Sequence, residues 1–521
     1  MSILSVEFLI FVAAVILLFY LLPKKVRWCV LLLASVGFYL MSGWQGGVYL
    51  LAVAVLTWFS ARHIGKLRAR MDEVLQEENP AAKRKLRHRM RAWLTVCLLL
   101  VLGALVFIKY FEPGRIALNA ILKFFNNRTQ FEAFEVLVPL GLSYFTFQSV
   151  GYVVDVYWGK VKAQPNFFKH LLFVSFFPQI MQGPISTYEQ LAPQLLAPKA
   201  FHPQRMTMGF QLMLWGYFKK LVLADRLASV TNTIAAGGEQ QGWLILLGIV
   251  LYTIRLYGDF SGGMDVVRGV AMMLGVDLTE NFRRPFFSTS VAEYWRRWHI
   301  SLGTWFRTYV LYPLSISRLG DLLSKIGKKT LGKKAGRMLP GAVATFLIFL
   351  LIGMWHTANW NALIFGAYFG VLMGTAMLLE PLFKVIRKKL HITDKTVWWR
   401  IFGWGRTMVL ILLAQYFACT VSPEQAWTLL QGTFAAWDFA AAEETLTGFM
   451  AWREWIIAGG ALLIVLLVDI LCERKVDVNG RLAKGTFFLR WPVLLVLIMV
   501  ILIFGYYGEG FDSTAFLYAN F

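Results

Sequence analysis

Two histidines stand in sequence where a histidine is expensive. His356 lies in FLIFLLIGMWHTANWNALIFGAYFG, between two apolar runs, with Trp355 before it and Asn359 and Asn361 after it. A neutral imidazole, with an ordinary pKa near ~6.5, can take a proton from an attacking hydroxyl and return it to a leaving thiol. Burial would lower that value and keep the ring basic. Ionisable groups in membrane sequence are costly, which makes each of them a functional candidate. The two asparagines and the indole N–H are polar groups that packing does not require; they could orient the ring or steady a developing oxyanion. The plainer alternative is a histidine that caps a helix end or hydrogen-bonds within a bundle.

His299 occupies SVAEYWRRWHISLGTWFRTYVLYPL, a stretch dense in Trp and Arg. At helical spacing Trp295 is one turn earlier, and Glu293 can reach Arg297 at i, i+4. Such a stretch also reads as a membrane interface, with arginines snorkelling toward phosphates. A second histidine in an irregular region makes a two-histidine site the sharper reading, with His356 leading. Asp259 in LYGDFSGGMD, with Arg255 one turn before it, reads as an ion pair inside the bundle. ENFRRPF offers Asn281, Arg283 and Arg284, which with Arg296 and Arg297 would either bind an anionic group or form a solvated cytoplasmic face. The remaining histidines, His63, His88, His170, His202 and His391, lie in or near polar loops and receive no role. The four cysteines are far apart, without CxxC or Cys/His ligand spacing, so neither a metal nor a disulfide framework is expected. Nucleotide-binding loops and a Gly-x-Ser-x-Gly elbow are missing too, which leaves ATP-driven transport and serine-triad hydrolysis unsupported.

The elements that must position these residues follow from composition. With 58% hydrophobic and 16% charged residues and a mean hydropathy of +0.57, the 521-residue chain belongs to the membrane class. Hydrocarbon offers no hydrogen-bonding partners, so long apolar runs read as helices. The expectation is an all-α integral membrane protein, a polytopic helical bundle forming one membrane-embedded domain. Residues 1–135 supply N-terminal helices, 136–379 a motif-bearing core and 380–521 C-terminal helices. Spans are predicted at Ser5–Leu22, Trp28–Trp44, Gly47–Ala61, Ala92–Ile108 and Val136–Trp158, then at Leu339–Trp355, Trp360–Leu378, Ile401–Thr420, Trp455–Leu471 and Trp491–Tyr507. Between Asn166 and Leu314 the apolar runs are broken by FPQIMQGP, FKKLVLADR, YGDFSGGMD and ENFRRPFF. Irregular backbone at membrane depth is tolerated only where it is buried in protein or lines a wet cavity. Interrupted or re-entrant helices around a central funnel or tunnel are therefore expected.

The net charge of +22 would suggest nucleic acid in a soluble protein, but here the basic residues collect in a few loops. Arg62–Arg91 carries ten Lys/Arg against four Asp/Glu, Ile316–Met338 seven against one, Lys384–Arg400 six against one, and Glu473–Arg490 five against two. By the positive-inside rule these four are cytoplasmic. Val421–Trp455, with five acidic residues and one basic, falls outside, as do both termini. The first apolar run lacks a basic residue before it and a small-residue cleavage site after it, so it reads as a spanning helix and not a removed signal peptide.

Read in order, YGDFSGGMDVVRGVAMMLGV, ENFRRPFF, YWRRWHISLGTWFRTYV and GMWHTANWNALIFGAYFG resemble the core of the membrane-bound O-acyltransferases. VPLGLSYFTFQSVGYVVDVYWG and VSFFPQIMQGPI look like that family's bacterial branch, the alginate O-acetyltransferase type. The likeness runs from about Val138 to Gly370 and departs at Thr308, where an acidic residue is common, and at Thr357 after the histidine. It implies a helical funnel in the bacterial cytoplasmic membrane in which an acyl group passes from a cytoplasmic thioester, such as acetyl-CoA, to an acceptor, with no bound cofactor. It implies that His356 is the essential catalytic residue and His299 the second position in the same cavity. It also implies a separate extracytoplasmic acetyltransferase and a polysaccharide acceptor. D-alanyl transfer from a carrier protein to teichoic acid, and a non-enzymatic glycan flippase using the arginines, are the competing readings.

Overall fold

A computed structural model describes the chain apart from residues 1, 42, 77–79, 126–128, 134–137, 198, 238–241, 394–395, 436, 441 and 508–521. The C-terminal tail, and with it the expectation that the C-terminus lies outside, falls beyond the described residues. Among the described residues all regular structure is helical, and eight helices are long and apolar enough to cross a bilayer. The all-α polytopic reading holds. The chain divides into two compact units, 1–213 with 266–279 and 214–265 with 280–521.

In the first unit, α1 (Val6–Leu21), α2 (Arg27–Met41), α3 (Trp44–Gln76), α4 (Pro80–Phe124) and α5 (Leu142–Trp158) follow the predicted spans. Ser5 caps α1 by accepting from the Phe8 N–H, and left-handed glycines, Gly141 and Gly159, bracket α5. α5 is buried along nearly its whole length and packs on α3 and α4. In the basic stretch 62–91 the described residues, 62–76 and 80–91, are helical and not loop. They extend α3 and α4 beyond their apolar parts, because Lys, Arg, Glu and Ala are strong helix formers whose backbone is satisfied within the helix. FPQIMQGP does break the chain, into α6 (Phe167–Ser175) and the short α7 (Phe177–Gln182). α8 (Tyr188–Leu196), opened by a Thr187–Gln190 capping box, and the start of α9 (Pro203–Tyr217) complete the unit.

In the second unit FKKLVLADR is interrupted as expected: Phe218–Ala224 is a π-helical segment, followed by α10 (Ala228–Ala236). YGDFSGGMD is not. α11 (Trp243–Met273) runs through it for 31 residues. Its glycines are there for packing: a β-carbon on Gly258 would meet the Lys219 carbonyl oxygen at 3.1 Å, and one on Gly262 that of Gly216 at 2.8 Å. The charge of Asp259 is matched from the π segment, where Lys220 Nζ lies 2.6 Å from it and 2.7 Å from Asp225. Arg255, expected as the partner of Asp259, donates instead to Thr231 at 2.8 Å and Asn232 at 2.6 Å.

ENFRRPFF is irregular and ends in a 3₁₀ turn. Next come α12 (Val291–Arg297), α13 (Ile300–Phe306), a second π segment at Arg307–Leu311 that holds Thr308, and α14 (Tyr312–Ser315). The basic stretch 316–338 forms α15 (Arg318–Thr330) and α16 (Gly332–Gly336). α17 (Leu339–His356) and α18 (Trp360–Lys389) make a tight antiparallel pair. Small residues let the two backbones approach: a β-carbon on Gly353 would run into the Ala362 carbonyl, and one on Gly366 into that of Phe349. α19 (Val397–Cys419), α20 (Pro423–Thr433), α21 (Ala442–Phe449), α22 (Trp452–Glu473), α23 (Val478–Lys484) and α24 (Phe487–Phe504) close the unit.

Candidate active site

The sequence puts His356 at the end of α17 because Thr357 turns extended there and Asn359 starts α18, its side-chain oxygen accepting the Ala362 N–H at 2.8 Å. His356 lines a chamber of about 320 Å³ within the second unit. Trp295, Trp298 and Phe365 give it aromatic surface, and Asn232, Asn361, Gln415 and Thr420 give it polar surface. None of its lining residues carries a formal charge.

Trp355 joins the two histidines. Its ring centroid lies 4.7 Å from that of His356 and 6.1 Å from that of His299. His299 is 1% exposed and sits at the N-terminus of α13 with φ 45° and ψ 53°, a left-handed conformation that disfavours a side chain. Asn281, itself 1% exposed, secures this turn. Its carbonyl oxygen accepts the Ile300 N–H at 3.0 Å, its side-chain oxygen accepts the Ser301 N–H at 2.8 Å, and its amide nitrogen lies 3.2 Å from His299 Nδ1. With the Asn281 oxygen fixed by Ser301, the amide nitrogen must donate to the ring. His299 Nδ1 then accepts, and the proton of the neutral ring resides on Nε2. His299 lies outside the spanning helices, and burial pushes its pKa down to about 3. The ring is therefore neutral throughout the physiological range, an Nε2–H donor held edge-on to Phe260.

Three of the four candidate arginines are paired. Arg284 Nε donates to Glu473 at 2.8 Å; Arg297 donates to both Glu473 oxygens, at 2.9 and 3.0 Å, and to Glu293 at 2.7 Å. Arg283 pairs with Glu280 at 2.7 Å. Arg296 is exposed. The Arg283 N–H also donates to the Arg297 carbonyl at 2.9 Å, so the two motifs that looked separate in sequence are stitched into one frame beneath His299. Asp259 belongs to the Lys220 ion cluster, not to the chamber wall.

Asn361 is 2% exposed and donates from one amide nitrogen to the Thr420 carbonyl at 2.7 Å and hydroxyl at 3.0 Å. Its N–H groups are thus committed, which leaves an oxygen able only to accept. Gln415, Thr420 and Asn232 are chamber residues that sequence reasoning did not single out. Gln415 did carry a signal, a carboxamide in the apolar run ILLAQYFAC.

Comparison with known proteins agrees with this architecture. Residues 159–325 match the model of the membrane-bound O-acyltransferase family. A probable alginate O-acetylase, AlgI, of Azotobacter vinelandii is 29% identical over 82% of this chain and 76% of its own length. A peptidoglycan O-acetyltransferase of Helicobacter pylori is 28% identical over 66% and 64%, and a teichoic acid D-alanyltransferase of Bacillus subtilis 29% identical over 54% and 66%. With its ordered motifs, its helical fold and these relatives, the chain is similar to the membrane-bound O-acyltransferases, whose family model matches residues 159–325, and is a multi-pass O-acyltransferase.

Proposed function

We propose that this protein moves an acetyl group from a cytoplasmic thioester, acetyl-CoA, across the membrane for O-acetylation of a cell-envelope or extracellular polysaccharide. The observation that carries the reading is His356 on the wall of a chamber with no charged lining. An acceptor oxygen attacks the thioester carbonyl carbon, the C–S bond breaks, and the hydroxyl proton passes through the imidazole to the departing thiolate. In the relay variant the imidazole carries the acyl group between the two half-reactions. Neither His299 nor Trp355 is among the chamber-lining residues; ring contacts of Trp355 link the two histidines behind the wall.

The neutral lining favours acetyl over D-alanyl. A buried ammonium with no carboxylate beside it loses its hydration without compensation. The flippase reading needs free guanidinium groups, whereas Arg283, Arg284 and Arg297 are engaged by Glu280, Glu293 and Glu473. In the proposed orientation the stretches 62–91, 316–338, 384–400 and 473–490 face the cytoplasm and the phosphates of the donor, and a separate extracytoplasmic acetyltransferase receives the acetyl group outside. His356→Ala, in protein that still folds and inserts, abolishes acetylation of the exported glycan and consumption of labelled acetyl-CoA. Undiminished acyl content refutes the role.

A further inference from the structure

α15 (Arg318–Thr330) is divided lengthwise into three sectors, and protein and water account for only two of them. Along one sector the helix packs inward. Gly320 and Gly327 are buried there, and a β-carbon on Gly327 would meet the Gly336 carbonyl oxygen at 2.8 Å and Leu339 Cβ at 3.0 Å. A second sector carries Arg318, Lys325 and Lys329, which no carboxylate holds among the described residues. Between the two, Leu319, Leu322 and Ile326 follow the i, i+3, i+7 spacing of one helix face. They are 48%, 53% and 45% exposed. Single apolar side chains in water need no explanation, but a row of three along one helix marks a contact surface.

The depth of α15 identifies what covers that row. Leu339 opens α17, an apolar span of 18 residues, roughly 27 Å long at ~1.5 Å per residue and so close to the ~30 Å of a bilayer's hydrocarbon. Leu339 therefore marks one edge of the hydrocarbon, and the contact with Gly327 holds α15 at that level. Basic residues occur from the first turn of α15 to its last, which keeps the helix from entering hydrocarbon end-on. It lies along the interface instead, its aliphatic row on the acyl chains and its Lys and Arg stems reaching up beside them to the phosphates. The helix carries Arg318, Lys325, Lys328 and Lys329 against the single acid Asp321, a balance that selects anionic over zwitterionic headgroups. We propose that α15 is an in-plane anchor that binds anionic phospholipid at the bilayer surface, through Leu319, Leu322 and Ile326 below and Arg318, Lys325 and Lys329 beside them. The anchor goes beyond acyl transfer and requires neither the role of His356 nor a particular orientation across the membrane.

The test uses the full chain in phospholipid vesicles, in a cysteine-free background with a fluorophore on Leu322→Cys, and acyl-chain-brominated lipids as contact quenchers. Brominated phosphatidylcholine quenches this label, whereas the same label on Lys328→Cys, on the far side of the helix, is left bright. Brominated phosphatidylglycerol reaches equal quenching of the Leu322→Cys label at about a threefold lower mole fraction, the preference that cations at the bilayer surface confer. Combining Arg318→Gln, Lys325→Gln and Lys329→Gln removes that preference while quenching by brominated phosphatidylcholine persists, which shows that the helix is still formed and seated. Absence of quenching by either lipid overturns the anchor, since water or another protein then covers the row. Equal potency of the two lipids with the basic residues intact, or a preference unchanged in the triple variant, overturns the anionic-lipid assignment. So does a preference erased by inorganic phosphate but not by chloride at matched ionic strength, which would mark a site for a soluble phosphate.

Discussion

A non-glycine residue in the left-handed region costs on the order of 1–3 kcal/mol, and His299 adopts that conformation at φ 45°. What sustains it is Asn281, which bonds the backbone on the far side of the turn and the ring itself. The arrangement sets both the direction of the imidazole and its tautomer, so Asn281 is a positioning residue. Asn281→Asp retains the acceptor for the Ser301 N–H but places a carboxylate oxygen against His299 Nδ1, which then takes the proton and removes the Nε2–H. We expect kcat to fall roughly 10–100-fold, as for loss of one buried hydrogen bond at about 1.4–2.8 kcal/mol, with KM for the donor changing less. Nitrogen chemical shifts of ¹⁵N-labelled histidine would report the change of tautomer. An unaltered tautomer with unaltered kcat contradicts the assignment. His299 and His356 were both legible as candidates, because a titratable group in an apolar run is conspicuous. Asn281 was legible only as a polar residue near arginines, since nothing local ties position 281 to position 299.

At the scale of elements, α17 and α18 form the wall that carries His356, and their separation is set by glycines rather than by apolar side chains. Gly353 is in contact with the Ala362 backbone, one turn from His356 and beside Asn361. Gly353→Ala forces the two helices apart where the chamber wall is built. A fall of more than tenfold in acyl transfer is expected, with a lowered Tm in detergent. Gly405→Ala in α19, where a β-carbon meets nothing within 4 Å, leaves both unchanged and serves as the control. Periodicity and apolar length located α17, α18 and α19 to within a few residues at their apolar ends. They misread YGDFSGGMD as a break, because glycine and charge inside an apolar run signal either an interruption or a close approach with a buried ion partner. The choice was settled by Lys220, which stands 39 positions away from Asp259.

At the scale of the whole molecule, charge asymmetry predicts topology. The proposed orientation puts the basic extensions of α3 and α4 inside and the acidic segment around α21 outside, so in a cysteine-free background an impermeant maleimide applied to intact cells is expected to label Glu443→Cys, whereas Lys85→Cys is labelled only after lysis. The opposite pattern overturns the orientation. Composition and hydropathy alone determined that the chain is helical and membrane-embedded, since a backbone in hydrocarbon has so few ways to satisfy its hydrogen bonds. Residue type alone determined that His356 and His299 deserved first consideration. The tertiary structure decided the rest: the chamber draws Asn232, Trp295, His356, Asn361 and Gln415 from five helices or their flanking turns, and their donors and acceptors acquire direction only when distant partners, Arg255 and Thr420, take one end of an amide and leave the other. Such pairings depend on packing between segments far apart in the chain, and local pattern carries no record of them.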